Sequence, residues 1–277
     1  HQTDQDPFDL VDALVKKLSF LDKRFNLPVA AGLFGYFAYD LKDKIEDLPQ
    51  TCVGDGLPDI CLYAPSVILI QDRQTRENRL CLPVFHRDKG QKEVLAREEY
   101  YINRLKHSWR PGSFHADNAG LVSSFAKPEY LSAVLQIIEH LRQGDIYQAN
   151  LSQRFETGFS GDAYALFLEL FKKNPAPFFA FVQAGDHQVV STSPERFLKV
   201  AGQTVETRPI KGTIARGETP EQDREKARTL SLSTKDDAEL TMIVDLMRND
   251  LSRVTEHDSV EVTAHKRLEA YDNVFHL

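Results

Sequence analysis

Apolar residues recur at helical spacing in several stretches of the chain, and each stretch predicts an amphipathic helix. The first covers 6–25, where Phe8, Val11, Leu14, Val15, Leu18 and Leu21 share a face, Asp6 caps the start and Pro7 suits the first helical position. The next covers about 90–108, with Glu98, Glu99 and Arg104 on its wet side. A third begins at Lys127-Pro128-Glu129, turns Tyr130, Val134, Ile137, Ile138 and Leu141 inward, and stops at Gly144. A short helix over Ala163–Lys173 is halted by Asn174-Pro175-Ala176-Pro177. An exposed helix over 218–232 precedes the clearest one, 233–251, whose stripe is Leu240, Ile243, Val244, Met247 and Leu251. Thr234 with Asp237 makes a capping-box-like start there, and Glu239 borders the stripe.

Between the helices the pattern shortens to that of strands. LPVAAGLFGYFAYDL (27–41) reads as a buried strand whose Gly32 and Gly35 allow close backbone approach, with Phe34, Tyr36, Phe37 and Tyr39 expected in the core. Residues 42–58 read as loop. Residues 60–72 and 79–86 read as strands, joined as a hairpin by the polar turn at 75–78. WRPGSFHADNAG (109–120) is the best linker candidate and suggests domains over 1–115 and 116–277. Residues 146–155 read as a strand, with Gln148, Asn150, Ser152 and Arg154 on a polar face that is either solvated or an active-site floor. Strands over 178–182 and 189–192 lead into 191–213, STSPERFLKVAGQTVETRPIKGT.

That last stretch reads as two strands turning at Ala201-Gly202-Gln203. Folding about Gly202 sets position 195 opposite 209, which brings Glu195 and Lys211 to the open mouth of the hairpin. Pro194, Pro209 and Gly212 break regular pairing at that end. An acid and an amine placed together there form either an acid–nucleophile pair or a plain surface ion pair, and the stretch alone favours the ion pair.

Composition narrows the class. A hydrophobic share of 42% with 27% charged residues is that of a globular chain with a core. The net charge of −7 argues against a nucleic-acid partner, yet leaves room for a local cationic pocket that takes an anion. No run reaches the roughly 18 apolar residues of a membrane span. Cys52, Cys61 and Cys81 are odd in number and form no C-x-x-C, so a reducing cytoplasm and no zinc are expected. The chain starts without Met and stops on apolar residues, which suggests a piece of something longer.

Four segments then stop looking generic: GDIYQANLSQRF (144–155), STSPERF (191–197), ETRPIKGT (206–213) and DDAELTMIVDLMRNDLSRV (236–254). In order and spacing they resemble the motifs of the chorismate-utilising enzymes, which include anthranilate synthase and aminodeoxychorismate synthase component I. The resemblance is close over 120–277 and looser over 1–110. It implies an α+β fold of packed antiparallel β-sheets with surrounding helices, here incomplete at the C-terminus.

The resemblance also implies roles. Anthranilate synthases usually carry Ala where this chain has Lys211, and the PIKGT form is typical of many aminodeoxychorismate synthases. Lys211 is then a nucleophile toward the chorismate ring and Glu195 the acid that protonates the leaving hydroxyl. Glu239 matches a glutamate of the family's Mg²⁺ site. His276 matches a histidine near the ring, and Thr213, closing the PIKGT motif, is expected to touch substrate. Ammonia would come from a glutamine amidotransferase subunit.

The 174–178 stretch resembles a segment lining the family's tryptophan pocket. The family's GAPK segment, its other magnesium glutamates and the groups that hold the chorismate carboxylates have no counterpart in these residues, so this stretch alone is expected to be inactive. The competing expectations are anthranilate synthase component I and a non-catalytic module that binds tryptophan or the glutaminase.

Overall fold

The computed structural model describes residues 6–17, 27, 29–49, 54, 56–84, 91–117 and 120–277. The described chain divides into two compact units, 1–110 with 182–187, and 111–181 with 188–277.

In the first unit, helix α1 (Pro7–Lys17) opens at Asp6, whose Oδ1 accepts the Phe8 N–H at 2.7 Å. Its expected continuation to 25 lies outside the described residues. Strand β1 (Phe34–Phe37) pairs antiparallel with β2 (Ile60–Tyr63). Gly35 allows that approach, since a Cβ there would stand 1.7 Å from the Cys61 carbonyl oxygen. The long buried strand expected over 27–41 is corrected: the strand is short and the chain bends into a 3-10 helix over Tyr39–Lys44. Phe34, Phe37 and Tyr39 are exposed rather than core, because a two-stranded ribbon offers no second layer to cover its rings. The strand expected over 60–72 is broken at Pro65, which cannot donate to a ladder, into β2 and β3 (Ile68–Gln71). Strand β3 forms the expected hairpin with β4 (Asn78–Cys81), turned by the Asp72 carboxylate accepting the Gln74 and Thr75 N–H groups. Helix α2 (Gln91–Leu105) completes the unit.

The second unit opens with β5 (Phe114–Ala116), which lies inside the stretch expected to be a linker, and β6 (Val122–Ser123). Helix α3 (Lys127–Gln143) starts with Glu129 accepting the Ala126 N–H at 2.9 Å and ends at Gly144 with φ 80°, as its sequence predicts. The strand expected over 146–155 does not form. Only β7 (Phe155–Glu156) pairs, with β6, because alternation without a neighbouring edge supplies no ladder. Strand β8 (Phe159–Gly161) pairs with β5. Helix α4 (Ala163–Lys173) is capped by Asp162, and its Tyr164, Phe167 and Phe171 pack against Phe179 and Phe181 of β9 (Phe178–Ala184). Strand β10 (His187–Ser193) pairs back on β9.

Next come β11 (Arg196–Ala201) and β12 (Thr204–Arg208), β13 (Thr213–Ala215), α5 (Pro220–Ser231) and α6 (Thr234–Ser252), then β14 (Glu269–Ala270) and β15 (Val274–His276). Helix α6 is capped by Ser233, which accepts the Asp236 N–H at 3.2 Å, one residue earlier than the Thr234 start predicted. Strand β15 lies between β13 and β14, antiparallel to both. Its alternation sends Phe275 and Leu277 into a core with Leu230 and Leu240, while His276 faces the other way.

Arg216 ties this core together. It grips Asp223 through two hydrogen bonds at 2.6 and 2.7 Å, donates to the Tyr271 carbonyl at 2.6 Å and lies over the Phe275 ring at 4.5 Å. The class is α+β, in which short antiparallel ladders alternate with helices.

Two outcomes test this packing. Leu230→Ala, at a residue only 4% exposed, should destabilise the chain by about 2–5 kcal/mol, read as a lower urea midpoint. The Arg216 guanidinium, with the Gly217 N–H, holds the Asp223 carboxyl down at about 2 from the usual 3.8. A depressed carboxyl stabilises the fold above its unfolded pKa and loses that contribution as pH falls through its folded one. Stability should therefore drop between about pH 4 and pH 2, and Asp223→Asn should flatten that drop in a pH series of urea melts.

Candidate active site

The hairpin at 196–208 sets the geometry. Ala201 pairs with Thr204, so the turn holds only Gly202 and Gln203 rather than the three residues predicted. Gly202 takes φ 60°, the conformation a two-residue hairpin turn demands of its first central position. That register alone would carry position 195 past 209. A bulge between Arg196 and Lys199 shifts the ladder by one residue, so Arg196 faces Arg208 and the mouth recovers the predicted alignment.

At that mouth Glu195 Oε1 accepts the Ile210 N–H at 2.9 Å. The acid is thereby fixed to the residue preceding Lys211. The Lys211 N–H donates to the Leu277 carbonyl at 2.8 Å, and Leu277 N–H returns to the Gly212 carbonyl at 3.2 Å. Gly212 takes φ 77° and packs against Leu230 and Asp236, where a Cβ would stand about 3.0 Å from both side chains. Lys211 is half-buried, and among the described residues no ion pair joins its amine to Glu195. The plain surface ion pair read from the stretch alone is thus absent.

Thr213 and His276 face each other across the β13–β15 ladder, and Thr213 Oγ1 lies 2.7 Å from His276 Nδ1. His276 is 9% exposed, and burial lowers its pKa while the nearby Glu269 and Glu195 charges oppose that shift. The imidazole is therefore largely neutral near pH 7, ready to accept a proton.

Glu239 sits on α6 and accepts a 3.1 Å hydrogen bond from Gln148. That contact gives the polar residues of 144–155 a local role without a strand. No hydrogen bond or ion pair joins Glu239 to Lys211, Glu195, Thr213 or His276 among the described residues. Nor do any three of His, Cys, Asp and Glu stand together as a metal cage there. Mg²⁺ is usually held by one or two carboxylates and completed by waters, and Glu239 is one carboxylate of that kind.

A cavity of about 530 Å³ opens beside His276. Arg208, Lys266 and Arg267 reach its wall together with Glu206 and Glu269, a local cationic excess in a chain of net charge −7. Phe178, at the end of the 174–178 stretch, lines the same cavity and carries Arg196 over its ring at 5.4 Å.

Three of these residues escaped the sequence reading: Arg208, Glu269 and Tyr271. Arg208 donates to Glu269 Oε1, and Tyr271 O–H donates to Glu269 Oε2 at 2.9 Å. The signal was a hairpin in EAYDNVFH, where Asp272-Asn273 turns between Tyr271 and Val274. No helix of the described residues is long and apolar enough to cross a membrane.

Comparison with known proteins locates this arrangement. The sequence pattern of the chorismate binding enzyme family matches residues 2–277. Aminodeoxychorismate synthase component 1 of Salmonella typhimurium is 35% identical over 281 residues, covering 98% of this chain and 58% of that protein. Anthranilate synthase component 1 of Thermus thermophilus is 36% identical over 253 residues, covering 90% of this chain and 54% of that protein. The chain thus spans a little over half the length of these relatives. The crystal structure of anthranilate synthase component I from Streptococcus pneumoniae superposes with a TM-score of 0.82, at 24% identity, over 99% of this chain and 62% of that one. It shares the fold.

The buried imidazole supplies a direct check of the site. In a ¹³C-histidine NMR titration, His276 should titrate below the usual midpoint of about 6.5. Because its folded pKa is depressed, its contribution to stability is complete above that value and is lost as pH falls below it. A midpoint at or above the usual value would contradict the burial.

Proposed function

The chain belongs to the chorismate binding enzymes, and from that premise we propose that it is part of an aminodeoxychorismate synthase component I, which makes 4-amino-4-deoxychorismate from chorismate and ammonia. Identity does not choose between the two synthases, since one of each is 35% and 36% identical. The observation that carries the reading is Lys211, a half-buried lysine whose backbone N–H is held by the Leu277 carbonyl and which follows Ile210, whose N–H is bound by the Glu195 carboxylate.

In this reading chorismate approaches through the cationic cavity, where Arg208, Lys266 and Arg267 favour its carboxylates and whose wall reaches His276 and Ile210, the residue before Lys211. Once deprotonated, the Lys211 amine forms a bond to ring C2 while the C4–O bond breaks. Glu195 supplies the proton with which the hydroxyl leaves as water. Ammonia then forms the C4–N bond as the C2–N bond to Lys211 breaks, which frees the lysine. His276, held by Thr213, is the proton acceptor near the ring, and Thr213 is a substrate contact. Glu239 is one proposed donor to a Mg²⁺ ion, and no step above depends on it. A glutamine amidotransferase subunit is the proposed source of ammonia, and the curated relatives' naming as component 1 of their synthases supports this.

Lys211→Ala in the full-length protein, supplied with chorismate, ammonia and Mg²⁺, tests this reading. The expected result is a loss of aminodeoxychorismate by about two orders of magnitude or more, followed by chromatography of the products. Wild-type yield from Lys211→Ala would rule out the covalent role. Anthranilate as the main wild-type product would assign the chain to the other synthase.

A further inference from the structure

His276 is the central residue of a three-membered row across the sheet. Thr213 faces it from β13 and Glu269 faces it from β14. Directly opposed residues of antiparallel strands project from the same face. The row therefore places a hydroxyl and a carboxylate on either side of the imidazole.

Glu269 is unusually constrained for a carboxylate that is 28% exposed. Its Oε1 accepts from Arg208, with Arg267 Nε 3.7 Å away, and its Oε2 accepts from the Tyr271 hydroxyl at 2.9 Å. Tyr271 in turn stands edge-on to the His276 ring, with centroids 5.3 Å apart and planes inclined by 66°. Both carboxylate oxygens are thus committed, one to a cavity arginine and one to the tyrosine that abuts the imidazole. A bridge that served only to join Arg208 to the sheet would need one of these bonds.

We propose that Glu269 is the positioning residue of His276: through Tyr271 it fixes the imidazole plane, and its charge supports the protonated ring. This role rests on the functional reading above only for its consequence in turnover. The charged and titratable groups facing His276 are Glu269 and Tyr271 from the β14 side and Glu195 from the hairpin mouth. Removing the Glu269 charge leaves burial less opposed, so the imidazole should bind its proton less readily.

The first test needs no activity. In the 277-residue chain with ¹³C-labelled histidine, Glu269→Gln should move the His276 titration midpoint to lower pH, and Glu269→Asp should restore part of the shift. Tyr271→Phe, which keeps the Arg208 pair, should change the His276 ring shifts and serves as the test should Glu269→Gln fail to fold. A His276 titration identical in wild type and Glu269→Gln, or His276 ring shifts unmoved in Tyr271→Phe, would overturn the proposal.

The second test uses the full-length enzyme. Glu269→Gln should lower kcat by on the order of tenfold with KM little changed, and the acid limb of the kcat/KM profile should move to lower pH. An unchanged profile beside a shifted NMR midpoint would overturn the role of His276 in turnover and leave the positioning intact.

Discussion

Everything at the site depends on β15 being held between β13 and β14. The strand is only Val274–His276, yet its alternation divides the unit into two environments. Phe275 and Leu277 enter the core formed with Leu230 and Leu240, so the strand is anchored by apolar burial. His276 is forced onto the opposite face, where Thr213 and Glu269 already wait in register. The same strand end closes onto the Lys211-Gly212 peptide through two backbone hydrogen bonds. One ladder therefore fixes the positions of the Lys211 backbone, the imidazole and its two neighbours.

The cavity side is polar and locally cationic, and its charges are held in pairs. Arg208 is bound by Glu269 and Arg196 by Glu206, so the guanidinium groups are oriented before any anion arrives. On the core side, Arg216 joins the α5 carboxylate of Asp223 to the loop at Tyr271 and covers the Phe275 ring. The half-buried Arg216–Asp223 pair resists solvent screening better than the exposed ion pairs of the helices.

Much of the fold was legible because its signals are local. Pro128, Glu129 and Gly144 mark both ends of α3, and the ends of α4 follow from Ala163 and the 174–177 prolines. The strand expected over 146–155 was not legible as loop, because alternation describes side chains and says nothing of whether a partner edge exists. The rings of Phe37 and Tyr39 read as core for a similar reason: apolarity does not reveal what lies across from it. The hairpin mouth was aligned correctly although the turn was misread, since a shorter turn and a bulge shift the register in opposite senses.

By itself the sequence determined the helices, the antiparallel character of the strands, the family and the residues with chemical potential: Lys211, Glu195, His276, Thr213 and Glu239. The helices follow from spacing and the approach of Glu195 to Lys211 from the hairpin, whereas the antiparallel sheets and the choice of His276, Thr213 and Glu239 follow from the resemblance that the four motifs carry. Tertiary structure alone decided which of them meet. It joined Thr213 to His276, tied Glu195 to the peptide before Lys211, and set Glu239 apart with Gln148. It also brought in Glu269 and Tyr271, which no motif marks, and Arg208, which sits in the 206–213 motif without being singled out there. The reason is that cross-strand register joins residues dozens of positions apart, and a single bulge or a single buried phenylalanine settles which of them share a face.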